Sequence, residues 1–168
     1  EAMVESFSGM PAGANQSPHT LTIRFGVEVG RVVIIDQTRL PHECVEVELK
    51  TSADACHAIS SMQVRGAPLI GVTAAFGVYL GLRGKDDETA RSLSASVIEA
   101  LAATRPTAIN LRWALDKIET RLARCEKNLA EIALQAALEL HAEDINACAM
   151  LGEYGAQRLQ EIWEAKGE

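Results

Sequence analysis

Two short blocks carry the chemistry most readily read from this sequence: Arg65-Gly66-Ala67-Pro68 and Arg105-Pro106-Thr107-Ala108. Each sets an arginine within three residues upstream of a proline that opens an apolar, alanine-rich stretch. Proline suits the first helical turn, where its missing N–H would have had no partner. A helix start also offers free backbone N–H groups and the positive end of the peptide dipole. An arginine there adds a forked cation able to grip a phosphate with two hydrogen bonds. Taken singly, either arginine could equally cap a neighbouring helix end or pair with one of the 23 acidic residues. Two held close together repel unless an anion sits between them. The pair therefore predicts converging helix starts that hold a phosphorylated small molecule.

The elements around these blocks follow from patterning. Leu21, Ile23, Phe25 and Val27 alternate with Thr22, Arg24, Gly26 and Glu28, the period of a half-buried strand. Val29-Gly30 makes a turn into the β-branched run Arg31 to Asp36, and Val45, Val47 and Leu49 alternate in a third strand. Everything later reads helical. Thr51 or Ser52 caps a helix to about Val64, and Pro68 opens an uncharged helix that stops at Arg83-Gly84. Asp86-Asp87-Glu88 starts the next, to Thr104, and Pro106 opens another, from Thr107 to about Arg124. The residue before a proline is steered from helical angles, so Ala67 and Arg105 are expected to be extended. Two further helices are expected, one striped by Leu129, Ile132, Ala133, Ala136, Ala137 and Leu140, the last running from Glu143 to Ala165. The fold class is α+β: a small three-stranded antiparallel N-terminal sheet followed by a helical bundle.

Composition narrows the partners. At 168 residues, 48% hydrophobic and 23% charged, the chain can bury one sizeable core. A net charge of −7 with no basic stripe argues against nucleic acid. It also makes individual arginines more telling. Cys44, Cys56, Cys125 and Cys148 form no C-x-x-C pair, and Cys56 and His57, being adjacent, point to different sides of a helix, so no zinc site is expected. Scattered thiols without a secretory segment read as reduced cysteines in the cytoplasm. Residues 1–18, small and polar, read as a flexible tail. The 17 uncharged residues from Gly66 to Leu82 sit at the short edge of a membrane span. Their proline and glycines favour the buried centre of a soluble domain instead.

Other residues attract blander readings. Gly66 permits a turn and lets backbone approach a ligand, while Gly77 and Gly81 allow close helix packing. Asn110 caps or bonds its own helix, Trp113 belongs to the core, and Cys148 is buried filler on the last helix. Asp36 leaves a strand into a turn, where its carboxylate can bond backbone N–H groups. His57 and His141 lack a carboxylate partner at helical spacing, so neither is offered as a general base. There is no P-loop, dinucleotide fingerprint or nucleophile elbow. The sequence thus supplies anion binders without an acid, base or nucleophile.

Three stretches carry a resemblance: Val33-Ile34-Ile35-Asp36-Gln37 with Leu40-Pro41, Met62-Gln63-Val64-Arg65-Gly66-Ala67-Pro68-Leu69-Ile70-Gly71, and Thr104-Arg105-Pro106-Thr107-Ala108-Ile109-Asn110-Leu111. With Trp113-Ala114-Leu115-Asp116 and Gly152-Glu153-Tyr154-Gly155-Ala156, they resemble the methylthioribose-1-phosphate isomerase family from about Thr20 onward. The resemblance implies an aldose–ketose isomerase of methionine salvage, cytoplasmic, commonly a homodimer, needing no metal or organic cofactor. It implies that Arg65, Gly66, Ala67 and Arg105 bind the phosphorylated sugar. In that family a cysteine in a Thr-His-Cys-Asn segment and a later aspartate do the chemistry, both in a Rossmann-like C-terminal domain. No cysteine here has that context, so no catalytic role is carried onto this chain, and 1–168 alone is expected to be inactive. On this reading 1–18 is the tail, 19–140 an N-terminal α/β domain, and 141–168 a helix leading toward the absent half, which is a docking partner if it is a separate chain. Two related families stay open: ribose-1,5-bisphosphate isomerases, and the non-catalytic regulatory subunits of a translation initiation exchange factor. Pro68, Asn110 and Trp113 favour the methylthioribose branch over the first. Retention of both arginine blocks favours it over the second.

Overall fold

A computed structural model of the chain describes residues 21–26 and 30–166. The expected tail at 1–18 and the residues 27–29 of the first hairpin lie outside these. Among the described residues there are three strands and five helices: β1 (Ile23–Gly26), β2 (Arg31–Ile35), β3 (Glu46–Leu49), α1 (Ser52–Ser60), α2 (Ala67–Leu82), α3 (Asp87–Thr104), α4 (Ile109–Ala123) and α5 (Leu129–Lys166). The sheet is antiparallel in the order β1-β2-β3, with Ile23 opposite Ile34 and Val32 opposite Leu49. This register puts Ile23, Phe25, Val32, Ile34, Val47 and Leu49 on one face, against the helices. The other face pairs Arg24 with Glu46, and Arg31 with Glu48 at 2.7 Å. Such cross-strand charge pairs add little individually but fix the register. The expected α+β architecture is what forms.

Helix α2 is the axis of the molecule. Apolar on every side, it is buried along nearly its whole length, with α1, α3, α4 and α5 packed around it. No described helix is long and apolar enough to cross a membrane. Close approach is possible because small residues face each neighbour. A methyl group built on Gly77 would lie 2.9 Å from Ala55 Cβ and from Leu101 Cδ2, and one on Gly81 would lie 2.9 Å from Val97 Cγ1. The sheet joins this bundle through aromatic contacts. Phe25 stacks on Phe76 with ring centroids 5.7 Å apart and meets Tyr79 edge-on at 5.9 Å. Arg83, at the end of α2, closes the hairpin by donating to Gly30 O at 2.8 Å.

Capping chemistry explains most boundaries. Thr51 and Asp54 form a capping box at α1, and Asp86 accepts from Thr89 N at 2.9 Å at the start of α3. Four expectations are corrected. Helix α1 stops at Ser60 instead of Val64, because Met62 adopts φ 62° and turns the chain. Ala67 is the first residue of α2 and not extended: Gly66, at φ 98°, makes the break one residue earlier. Pro68 then falls in the first turn, where its lack of an N–H costs nothing. Pro106 does not open α4, which begins at Ile109. Arg105 to Ala108 instead forms a turn closed by Ala108 N on Arg105 O at 3.0 Å, with proline at the position such turns favour. Finally, the two expected last helices are one, α5, of 38 residues. No glycine or proline interrupts the sequence around Glu143, so nothing there stops a helix.

The two halves of α5 differ. Leu129, Ala133, Ala136, Ala137 and Leu140 bury against α2 and α4. From Asn146 to Lys166 every residue is exposed. Cys148, expected to be buried, is therefore exposed, as are Leu151, Leu159 and Trp163. At 1.5 Å per residue this outer arm extends roughly 30 Å.

Candidate functional site

The two arginine blocks reach the site by different routes. Arg65 stands immediately before the Gly66 break, and Arg105 ends α3 with φ −147° and ψ 81°, an open conformation as its position before proline requires. The helices that follow them meet near their starts. A methyl group on Gly71 would lie 2.9 Å from the backbone oxygen of Asn110 and 3.3 Å from Ala114 Cβ. Both residues lie within the first two turns of their helices, so the positive ends of α2 and α4 adjoin. Asn110 thus sits at the crossing of the two helices, its backbone against α2. Gly66 and Ala67 are exposed, which leaves the start of α2 open to solvent.

Between these helix starts and α5 lies a cleft of about 270 Å³. Pro68, Val72 and Trp113 give it apolar walls, and Leu140, Glu143, Asp144 and Ala147 form its α5 side. The two carboxylates disfavour an anion on that side. Trp113, expected in the core, is 49% exposed, with the Lys117 ammonium 4.3 Å from its ring centroid. Lys117 also pairs with Glu143 at 3.0 Å. Ile109, one turn before Trp113, is 82% exposed. The buried stripe of α4 runs instead through Leu111, Ala114, Leu115, Ile118 and Leu122.

Behind Arg65 is a polar cluster that patterning alone did not connect to the site. Asp36, only 8% exposed, accepts from Thr38 N at 2.9 Å and from Thr38 Oγ1 at 2.6 Å. The Thr38 hydroxyl is the main reason its carboxyl is held below the usual aspartate range. Gln63 Nε2 donates to the other Asp36 oxygen at 3.4 Å. Gln37 N donates to Gln63 O at 2.9 Å, and Arg65 Nη2 donates to Gln37 O at 3.1 Å. The sequence signal was present in part: a carboxylate at a strand exit followed two residues later by threonine. Its partner, Gln63, is 27 residues away.

His57 is exposed on α1. His141, half-buried, packs edge-on against Phe76, and burial lowers its pKa against opposing contributions from Asp144 and a hydrogen bond with the Ile23 backbone. Burial pushes the Cys56 thiol up, away from the reactive thiolate. Among the described residues, no group of three or more histidine, cysteine or acidic side chains could hold a metal ion. The geometry thus sets an exposed start of α2, led by Arg65, beside a cleft that carries apolar walls and two carboxylates.

Comparison with known proteins gives this arrangement relatives. The family described as the Initiation factor 2 subunit family matches residues 63–163. A methylthioribose-1-phosphate isomerase of Methylorubrum populi is 47% identical over 137 residues, covering 81% of this chain and 37% of its own length. Among solved structures, 5-methylthioribose 1-phosphate isomerase of Pyrococcus horikoshii superposes with a TM-score of 0.73 at 31% identity, covering 81% of this chain and 40% of that one. The delta subunit of translation initiation factor eIF-2B from A. fulgidus gives a TM-score of 0.68 at 29% identity, covering 74% of this chain and 37% of that one. The chain thus spans well under half the length of these relatives. It contains both arginine-led helix starts, and it belongs to the Initiation factor 2 subunit family, as a relative of the methylthioribose-1-phosphate isomerases.

Proposed function

We propose that this chain is the substrate-gripping part of an aldose–ketose isomerase that converts 5-methylthioribose 1-phosphate to 5-methylthioribulose 1-phosphate in methionine salvage. The observation that carries the reading is the contact between the starts of α2 and α4, each led by an arginine block. Arg65 and Arg105 bind the phosphate with their forked donors, while Gly66 and Ala67 let it approach the first turn of α2. The apolar cleft wall next to them suits a substrate with a non-polar end. A phosphate on the anomeric carbon blocks ordinary ring opening. Moving a proton between the first two sugar carbons therefore needs a positioned acid–base pair in a dry pocket. That pair is assigned to a part of the complete protein other than residues 1–168. On this reading the enzyme works in the cytoplasm as a homodimer, and 141–168 leads from the gripping domain toward the part that performs the chemistry.

The sequence relatives named as isomerases, and the higher TM-score to the isomerase structure, favour this reading over the regulatory one that the likeness to the eIF-2B delta subunit suggests. Titration calorimetry of 1–168 with 5-methylthioribose 1-phosphate tests it. Saturable binding that Arg105→Ala abolishes is expected, with no ketose formed on prolonged incubation. Ketose production by 1–168 would refute the division of labour. A wild-type chain that ignores the sugar phosphate yet captures an exchange-factor complex would favour the regulatory reading.

A further inference from the structure

Arg65 is exposed, and a long cation at the surface spends its time in many rotamers unless something holds it. Among the described residues its side chain donates to a backbone oxygen, that of Gln37. That carbonyl is itself placed from both sides: the Gln37 N–H donates to Gln63 O, and the flanking Asp36 carboxylate is tied to the Thr38 amide and hydroxyl and to the Gln63 side chain. Hydrogen bonds thus alternate between segment 36–38 and segment 63–65, so the exit of β2 and the approach to α2 are stitched together. Asp36 is the centre of the stitch and, apart from Thr73, the one buried polar side chain of the described core. Thr73 satisfies itself on its own helix, through Leu69 O at 2.7 Å. Asp36 instead spends its burial on another segment.

From this we infer that Asp36 and Gln63 are positioning residues: they form a clasp that fixes the Gln37 carbonyl and, through it, aims the Arg65 guanidinium at the open start of α2. The inference rests on the reading of Arg65 as a phosphate-binding residue. Neither Asp36 nor Gln63 needs to touch the ligand. One oxygen of Asp36 serves Thr38 and the other serves Gln63, so the clasp depends on Gln63 being a donor. A carboxylate at position 63 would face the Asp36 carboxylate and open the clasp. An asparagine at 36 could then keep accepting from Thr38 through its oxygen while its amide donates to the new carboxylate.

The test uses the full chain with two readouts. The first is the mobility of the Arg65 Nε–H group by nitrogen-15 relaxation, with the exposed Arg124, whose guanidinium meets no partner among the described residues, as the reference. The second is the dissociation constant for ribose 1-phosphate. Wild-type Arg65 is expected to be more ordered than Arg124. Gln63→Met and Gln63→Glu should each release it and weaken ribose 1-phosphate binding about tenfold. In the double variant Asp36→Asn/Gln63→Glu, order and affinity should both return. Gln63→Met in an Arg65→Ala background should cost nothing more, because the clasp acts only through Arg65. A merely structural role would produce no rescue and would add to Arg65→Ala. Equal Arg65 mobility in wild type and Gln63→Met overturns the inference. Release of Arg65 with ribose 1-phosphate binding unaffected by Arg65→Ala upholds the clasp and overturns the phosphate-binding reading instead.

Discussion

Alanine in place of glycine should have opposite effects at two places on this chain, and the sign follows from geometry alone. Within a helix the exchange gains about 1 kcal/mol from backbone entropy where space is open. Gly152 and Gly155 lie in the exposed arm of α5 with nothing within 4 Å of an added methyl group. Gly71 is the opposite case. Its methyl group would sit 2.9 Å from the Asn110 backbone oxygen, which cannot rotate away as a side chain could. Relief requires α2 and α4 to separate, and overpacking of this kind costs about 1–3 kcal/mol. Subtracting the propensity gain leaves Gly71→Ala destabilising by roughly 0–2 kcal/mol, or up to several degrees in Tm for a domain of this size. Because the strain falls where the two helix starts meet, ribose 1-phosphate binding should weaken as well. Gly152→Ala and Gly155→Ala should raise the far-ultraviolet helical signal and leave both the Tm of the body and the binding unchanged. Thermal denaturation followed by circular dichroism, with calorimetry for the ligand, reads all three. Were Gly71→Ala as stable as the wild type with unaltered binding, the close α2–α4 contact would not exist as described.

Three other outcomes follow from the same coordinates. Burial lowers the His141 pKa, so the folded chain prefers the neutral ring; its contribution is complete above about pH 6.5 and is lost as the pH falls through the lowered value. His141→Phe should flatten the dependence of Tm on pH between 7 and 5, and an unchanged slope would count against the lowered pKa of the half-buried ring. Asp36 is also lowered, chiefly by the Thr38 hydroxyl, so its contribution is present above about pH 4 and lost with further acidification. Asp36→Asn should make the acid limb of the Tm profile shallower. Thr51→Ala removes half of the capping box at α1 and should cost about 1 kcal/mol in urea denaturation.

What could be read from the sequence was whatever local chemistry decides. Strand alternation placed Ile23, Val32, Ile34 and Leu49 on one face, and the charge-free run ahead of Arg83 identified the central helix. The misreadings cluster where two local rules compete. At Pro106, both a helix start and a turn accommodate proline, and the Ala108-to-Arg105 hydrogen bond decided for the turn. At Ala67 the bias against helix before proline yielded because Gly66 took the positive φ instead. Trp113 and Cys148 were misplaced for another reason. An apolar residue on a helix does not say whether a neighbouring element covers it, and here none of the described elements does.

The candidate site shows the same division more sharply. The arginines, the glycine and the proline were legible because each changes what the backbone can do at its own position. Converging helix starts were expected from the pair, but the contact that joins α2 to α4 at Gly71 is long-range and leaves only an unexplained glycine in the sequence. The clasp behind Arg65 was still less legible, as Asp36 and Gln63 belong to separate elements and neither is unusual alone. Anion sites built on helix starts therefore announce their donors and conceal their alignment. Alignment decides whether two cations repel or share one phosphate. On the proposed reading, the informative substitutions for this protein lie at Gly71 and Gln63 as much as at Arg65 and Arg105.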